Sequence, residues 1–391
     1  MRYKGTPILQ PFPFIALAAW SLAFYPGCRA ADHVDRAYEG GVEVVLNHVE
    51  PYHLSGRPSS FSLEKVFSID TERDDLAEKG MGSAGEWDAD GEGRVYVVGF
   101  KNRENFIYRF DGGGRFEVSF GRRGQGPGEL QWPFLSGVSE NGEIALTDQA
   151  RKYIVYDRNG AVLREMQPKR SAFHIDALGN GKYLALKSRP GLATADAYVD
   201  VLTICDSEFT DLKVLDRYER AADDSRQVPY FMWRVSGGRI FIANQARGYE
   251  IWVYDLDGNL VRKIRKEYRP VRVTDEIKDA ILGPDWRRSG SSHDGYFTDP
   301  LPPLNQFFAD DEGRIFVMTY EPGPNPGEYI WDFFDSDGLF IGRKALNIVW
   351  AGLYLGPRYT FAKNGRLYCH REKESGFHEL MVYRMIWEEA P

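Results

Sequence analysis

The segment DGEGRVYVVGF (residues 90–100) decides the fold, because the same pattern occurs six times along the chain. In each copy a glycine leads into a short run in which apolar residues alternate with others. Glycine supplies the positive φ that a tight hairpin needs, and the alternation is the period of a strand with one buried face. The other five copies are ENGEIALTD (140–148), GNGKYLALKS (179–188), SGGRIFIANQ (236–245), DEGRIFVMTY (311–320) and KNGRLYCHRE (363–372).

A second motif ends a strand with aspartate, and four of its copies continue into a glycine-rich turn. Aspartate accepts hydrogen bonds from backbone amides in such turns, so we interpret these residues as turn caps rather than as calcium ligands. The copies are FIYRFDGGG ending at Gly114, YIVYDRNG ending at Gly160, IWVYDLDGN ending at Asn259, WDFFDSDG ending at Gly338, and the degenerate VLTICDSEF.

Together the two motifs make repeats of four strands, and the hairpin glycines are 39 to 75 residues apart. This period predicts an all-β fold, a six-bladed β-propeller with four-stranded antiparallel blades over residues 62–391. The sixth repeat ends after its third strand, HELMVYRMI, whereas SLEKVFSID (62–70) has no local partner. We therefore expect the N-terminal strand to close the last blade, which protects both sheet edges.

Composition limits the classes of protein to consider. The chain has 391 residues, 40 of them glycine, with 14% aromatic residues and a formal charge of −8. Such an apolar and aromatic content excludes intrinsic disorder, and the interspersed charges disfavour nucleic-acid binding. Three cysteines cannot staple a chain of this length, and we expect Cys205 and Cys369 to be buried apolar residues.

The N-terminus resembles an export signal over residues 1–27, with a basic start and an apolar stretch at 12–24 that is short for a membrane span. Two ways of processing remain open. A signal peptidase would cut after Ala30, whereas lipidation would make Cys28 the first residue of a lipoprotein. Gly27 fits a lipobox, but Tyr25 and Pro26 depart from it. The sequence favours lipidation, which predicts a bacterial envelope or periplasmic location with membrane contact through the lipid alone.

The segment FGRRGQGPGEL (120–130) resembles the six-bladed propellers related to NHL-repeat proteins, in which Gly-Pro-Gly-Glu segments follow an outer strand. DGGGRFEVSFG and DLDGNLVRKI resemble the third-turn-fourth-strand pattern of that family. GGVEVVLNHVEP (40–51), within a lead-in at 28–61, is similar to the start of exported bacterial members, many of them lipoproteins. The resemblance covers about residues 40–387. It implies the fold and leaves the ligand open.

The GQGPGEL segment itself has two interpretations. As a connector between blades, it would let Gln125 and Glu129 bond backbone groups at a sharp turn. Alternatively, the amides of Gly121, Gly124 and Gly126 would form an anion nest beside two arginines. The first interpretation is favoured, because no Walker lysine follows the glycines.

Candidate ligand-binding residues lie on the first strand of each repeat, which lines the central channel of a propeller. These strands are predicted at 82–89, 133–139, 172–178, 230–236, 303–310 and 356–363. Which side chains point inwards depends on register. The candidates at the hub are His174, Trp233, Arg234, Asn305, Gln306, Arg358 and Tyr359.

An insertion at 268–303 interrupts the repeats. Thr274 can cap a short helix at 275–282, and a long irregular loop follows. Loops of that length in a compact domain often carry function. This loop would either place a binding rim over the channel mouth or act as a lid that covers apolar surface. The residues of the rim would be Trp286, Arg287, Arg288, His293 and Tyr296.

Three functions fit these patterns. The favoured one is a non-enzymatic, monomeric envelope protein that binds a protein, peptide or glycan, with no cofactor. The alternative is a metal-dependent hydrolase or lyase, lactonase-like or esterase-like, with Ca²⁺ at the hub. Its carboxylates would be Glu86, Asp88 and Asp176, but no HxH, HExxH or Gly-x-Ser-x-Gly motif occurs. The third function is that of a sensor or scaffold that binds its partners through the edges of its blades.

Overall fold

The computed structural model describes residues 34–53, 56, 58–99, 104–148, 152–167, 173–190, 197–221, 231–282, 297–348, 359–373 and 375–389. Their strands form six sheets arranged as blades in a ring, which confirms the six-bladed β-propeller. In each blade the first strand lies at the hub, where it contacts the first strands of neighbouring blades. No helix in the described residues is long and apolar enough to cross a membrane.

Each blade has four antiparallel strands, and in blades 1 to 5 these four follow the order of the chain. The N-terminal elements are β1 (Asp35–Glu39), β2 (Val42–Asn47), β3 (Pro58–Asp70) and helix α1 (Asp74–Glu78). Blade 1 has β4 (Trp87–Ala89), β5 (Val95–Val98), β6 (Asn105–Phe110) and β7 (Phe116–Arg122). Blade 2 has β8 (Pro133–Val138), β9 (Ile144–Asp148), β10 (Lys152–Tyr156) and β11 (Val162–Met166). Blade 3 has β12 (Phe173–Gly179), β13 (Lys182–Pro190), β14 (Ala197–Cys205) and β15 (Asp211–Ala221).

The second half of the ring contains the exceptions to this regular plan. Blade 4 has β16 (Phe231–Ser236), β17 (Arg239–Asn244), a 3₁₀ turn (Gln245–Arg247), β18 (Glu250–Asp255) and β19 (Leu260–Lys266), and helix α2 (Asp275–Leu282) follows it over the range that the sequence predicts. Blade 5 has β20 (Gln306–Ala309), β21 (Ile315–Pro322), β22 (Tyr329–Phe334) and β23 (Phe340–Leu346). Blade 6 has β24 (Thr360–Lys363), β25 (Arg366–Glu372) and β26 (His378–Glu389).

Strand β3 supplies the fourth strand of blade 6, as the sequence predicts. It pairs antiparallel with β26 from Asp70 opposite Glu379 to Pro58 opposite Glu389. The pairing begins before Ser62, so the closing strand is longer than the predicted segment. The ring is therefore closed by hydrogen bonds between the two ends of the chain, and β26 has no open edge along this pairing.

The aspartate turns have one geometry. In each, the Oδ1 atom of the aspartate accepts hydrogen bonds from the backbone amides two and four residues later, which confirms the prediction of turn caps. In the described part of the chain, seven residues have this geometry: Asp90, Asp111, Asp157, Asp206, Asp255, Asp310 and Asp335.

The core lies between blades. Trp331, fully buried, packs with Phe61 and Phe316 where blades 5 and 6 meet, and Trp387 packs against the same cluster. Both tryptophans lie on the third strand of their blade, where large aromatic side chains fill the space between blades. Cys205 and Cys369 are free, buried thiols, as expected from sequence.

The GQGPGEL segment is built as a connector. Glu129 accepts a hydrogen bond from the Gly126 amide, and the Gly124 amide donates to the carbonyl of Leu130. The Lys152 ammonium reaches into the turn and donates to the carbonyl of Gly126. Two of the three amides proposed for an anion nest are thus already bound within the protein, which favours the connector interpretation.

The residues before β3 form two further strands, β1 and β2, which the sequence did not predict. Strand β2 pairs in parallel with β19 and extends blade 4 to six strands, with β1 at its edge. At its end, the buried Asn47 donates to the carbonyls of Arg265 in blade 4 and Gly338 in blade 5, and accepts from the Phe340 amide. The Tyr52 amide donates to Phe340. Residues 35–53 therefore form a strap along blades 4 and 5, ahead of the closing strand β3.

Charged pairs hold the outer part of this strap. Glu39 binds Lys263 and Arg265, and hydrogen bonds from these two side chains lower its pKa to about 2. Glu43 pairs with Arg262 of the same strand, β19. Exposed pairs of this kind contribute little each, so the buried Asn47 is the stronger connection.

Replacing Asn47 with alanine tests the strap. The substitution leaves two carbonyls and one amide between blades 4 and 5 without their partner, so we expect the free energy of unfolding to fall by about 2–3 kcal/mol. Urea denaturation measures it. The matched control is Asn141→Ala, at an exposed turn, where a change within about 0.5 kcal/mol is expected. Equal stability of the two variants would show that the strap contributes nothing to ring stability.

Candidate functional site

Two buried carboxylates at the hub connect blade 1 to blade 2. The Oε2 atom of Glu86 accepts a hydrogen bond from the Leu135 amide at 2.6 Å. The Oδ2 atom of Asp88 accepts one from the Val138 amide at 2.9 Å. Both carboxylates are almost fully buried. Their hydrogen bonds to the next blade hold these oxygens in fixed positions.

A lysine extends the same connection to blade 6. The Lys363 ammonium donates to the carbonyl of Ala89 in blade 1 at 2.7 Å and to that of Val138 in blade 2 at 3.0 Å. Asp88 and Glu140 lie 3.9 and 3.7 Å from the same nitrogen. Three blades thus meet at one ammonium group, whose charge is balanced by two carboxylates.

Blades 3 and 4 are connected in a similar way. The indole nitrogen of Trp233 donates to the Oδ2 atom of Asp176 at 3.1 Å. The neighbouring Arg234 donates to the Trp233 carbonyl, and its guanidinium lies 5.4 Å from the centre of the Phe307 ring in blade 5. All three hub carboxylates that the sequence singled out therefore join one blade to the next.

A cavity of about 520 Å³ opens at the end of the hub strands where each turns into its second strand. We call it the hub cavity. Residues from all six blades line it, among them Asp88, Ser136, Asp176, Trp233, Phe308 and Lys363. The cavity also extends outward between blades 2 and 3. Its lining there includes Ala145, Val155, Leu163, Tyr153 and Tyr183. Its volume lies within the range of about 300–1,000 Å³ that is typical of ligand pockets.

Charges of both signs surround this cavity. The carboxylates are Asp88, Glu140, Glu143, Asp176 and Asp311, and the cations are Arg164, Arg234 and Lys363. Glu140 is exposed at the mouth, whereas Asp88 and Asp176 are engaged with blade backbones and side chains. The arrangement can bind a polar ligand at several points and orient it.

The structure brings two of the predicted hub residues, Trp233 and Arg234, into the cavity wall. His174 lies beside Trp233, with ring centroids 6.1 Å apart, and Phe134 is 5.9 Å away on its other side. His174 occupies a β-bulge and has a φ of 51°, which is uncommon for a residue other than glycine. The three rings form an arc across the hub strands of blades 2, 3 and 4.

The other predicted residues lie elsewhere. Gln306 is buried, and its amide nitrogen donates to the sulfur of Met318 within blade 5. Asn305 is also buried, and its backbone amide donates to the Met318 carbonyl. Tyr359 stacks on His370, and burial raises its pKa to about 12. Residues Trp286, Arg287, Arg288, His293, Tyr296, Arg358 and Cys28 lie outside the described residues.

Sequence reasoning missed the cavity residues in the hairpin turns and on outer strands. Glu140 and Lys363 lie at the ends of hub strands and belong to the repeated glycine motif. That motif was used only to count the blades, and its side chains were not considered as cavity residues. Arg164 and Tyr183 come from β11 and β13, and nothing in the sequence places these strands side by side. Within the described residues, no three His, Cys, Asp or Glu side chains are grouped so that they could hold a metal ion.

No family model and no curated protein matches this sequence, so membership of the NHL-repeat family stays a prediction. Among solved structures, a candidate exported protein from Bacteroides fragilis is 14% identical with a TM-score of 0.51, over 88% of this chain and 99% of that chain. BamB from Moraxella catarrhalis is 10% identical with a TM-score of 0.36, over 83% of this chain and 100% of that chain. The likeness to the first supports the propeller fold.

Blade 6 also contains a buried histidine pair. His370 is fully buried, its Nε2 atom is 2.5 Å from Nδ1 of His378, and burial followed by repulsion from His378 lowers the pKa of His370 to about 3. As the pH falls, His370 is therefore protonated in the unfolded chain, where its pKa is near 6.5, before it is protonated in the folded chain. The stabilising effect of neutral His370 is present above about pH 6.5 and is lost as the pH falls towards the folded pKa.

We expect His370 to lower the free energy of unfolding by about 2 kcal/mol between about pH 7 and pH 5. His370→Gln removes the titrating group while keeping a polar partner for His378. Urea denaturation at both pH values should show a smaller loss for His370→Gln than for the parent protein. The control, His53→Gln, replaces an exposed histidine and should keep the parent's pH dependence. Identical pH dependence in all three proteins would contradict the assignment.

Proposed function

We propose that this chain is an exported, non-enzymatic binding protein that holds a protein, peptide or glycan ligand in the hub cavity. The observation that carries the proposal is the cavity itself, to which all six blades contribute and in which apolar walls alternate with charges of both signs. Such concave sites with a few placed polar groups are the usual form of a ligand site.

The bonding of the hub carboxylates supports binding over catalysis. Glu86, Asp88 and Asp176 accept hydrogen bonds from adjacent blades, so each holds the ring together. A general base or a set of metal ligands would instead present oxygens towards one point occupied by substrate.

Export and tethering belong to the same proposal. The signal at residues 1–27 directs the chain to the bacterial envelope, and lipidation of Cys28 holds it there by a lipid. The Bacteroides fragilis protein with the same fold is a candidate exported protein, which agrees with this location. Strand β1 begins at Asp35, seven residues after Cys28 in the sequence.

Filling the cavity tests the binding site. Ala177 lines the cavity and is exposed, so Ala177→Trp should occupy the space without disturbing a buried contact. Fluorescently labelled protein applied to peptide and glycan arrays should lose at least about tenfold in affinity for its ligands, because the ligand's volume is taken. The matched control is Ala77→Trp on helix α1, where an exposed alanine lies outside the cavity lining and binding should be unchanged.

Two results would contradict the proposal. Unchanged array binding by Ala177→Trp would place the ligand elsewhere. Metal analysis of the same purified proteins addresses the alternative function: we expect less than one ion per chain, and a stoichiometric ion retained by the parent protein and lost on Asp88→Asn would favour the metal-dependent hydrolase or lyase.

Labelling with radioactive palmitate tests the tether. The parent protein should incorporate label and partition with membranes, whereas Cys28→Ala should do neither, because the thiol is the site of attachment. Cys205→Ala is the control, since that thiol is buried in blade 3. Equal labelling of all three proteins, or none in the parent, would show that Cys28 is not lipidated.

A further inference from the structure

The outward extension of the hub cavity has the dimensions of a short extended peptide. It passes from hub strand β8 to outer strand β11, three strand spacings away in the sheet of blade 2. At about 4.8 Å per spacing this is roughly 14 Å, and an extended chain rises about 3.3 Å per residue. The extension therefore accommodates about four to five residues.

The walls of the extension suit aliphatic side chains better than sugar rings. Tyr153 and Tyr183 meet edge to face with centroids 5.3 Å apart, and both are almost fully buried, so neither ring face is open for stacking. The accessible apolar surface comes from Val155 and from Leu163, which is 53% exposed. Sugars stack on open aromatic faces, whereas apolar peptide side chains pack against aliphatic groups.

The two ends of the extension, one at the hub and one at the rim of the blade, differ in charge. At the hub end Glu140 and Glu143 are both exposed, and Glu140 lies 3.7 Å from the Lys363 ammonium. Asp88, Asp176 and Asp311 also line this end, against the cations Lys363 and Arg234, so the hub end keeps an excess of negative charge. At the rim end Arg164 is exposed and donates to the Tyr183 hydroxyl. A ligand with a cation at the hub and a carboxylate at the rim matches both ends.

We propose that the hub cavity binds an extended peptide segment of four to five residues, with a lysine or arginine beside Glu140 and Glu143. Its apolar side chains lie along Leu163, and an acidic residue near its other end pairs with Arg164. The inference rests on the proposed function, since it names the ligand class for the same cavity.

Fluorescence anisotropy with labelled pentapeptide pools tests the inference. In the first pool position one is lysine, positions two to four are mixtures of leucine, valine and serine, and position five is glutamate. The second pool has glutamine at both charged positions. All peptides are acetylated and carry the dye on a carboxyl-terminal Gly-Ser linker. The parent protein should bind the first pool at least about tenfold more tightly, since each charge pair between peptide and cavity adds to the affinity.

Charge reversal at the rim provides the matched variant. Arg164→Glu should weaken binding of the first pool and strengthen binding of a third pool that carries lysine at both ends, because the partner charge at the rim has changed sign. Arg164→Gln should lower the preference without inverting it. Glu78→Lys on helix α1 is the control for a general change in net charge, and it should leave both affinities unchanged.

The outcomes separate this inference from the proposed function. Equal affinity for both pools, unaffected by Arg164→Glu, would overturn the charge-directed peptide. Absence of peptide binding together with glycan binding that Ala177→Trp abolishes would overturn the peptide while leaving the hub cavity as the ligand site. Absence of any ligand sensitive to Ala177→Trp would overturn both.

Discussion

The pairing of β3 with β26 is the constraint on which the rest of the structure depends. A propeller with an incomplete last blade leaves a long strand edge open and one face of a neighbouring blade uncovered. Here the two ends of the chain meet along Pro58–Asp70, and Phe61 of the closing strand enters the core between blades 5 and 6. The strap before β3 adds connections to blades 4 and 5, so the closing strand is anchored on both sides.

A closed ring brings six hub strands into one small space, and the hub must then satisfy the polar groups that it buries. Glu86, Asp88 and Lys363 do so by bonding the backbones of neighbouring blades. These bonds hold the strand ends in register, which places the cavity residues from different blades at fixed separations. A cavity assembled this way is preorganised, so a ligand that entered it would lose little conformational entropy of the protein.

The architecture could be predicted because its signals are local. Each aspartate turn is a self-contained unit of five residues, as in Asp255 with the amides of Asp257 and Asn259, and the spacing of the hairpin glycines counts the blades. The candidate site was harder to predict, because it depends on register. Trp233 and Arg234 line the cavity, whereas Gln306, on an equivalent strand, bonds Met318 inside its own blade. Gln306 is the first residue of its hub strand, whereas the cavity opens at the other end of these strands.

The sequence by itself determined the number of blades, the strands that form the hub and the strand that closes the ring, since turn chemistry and strand periodicity are properties of neighbouring residues. Only the tertiary structure decided that β2 extends blade 4, that Lys363 joins three blades, and that Arg164 and Tyr183 meet beside the cavity. These contacts join residues far apart in the chain, and their geometry exists only once closure has set the position of every blade.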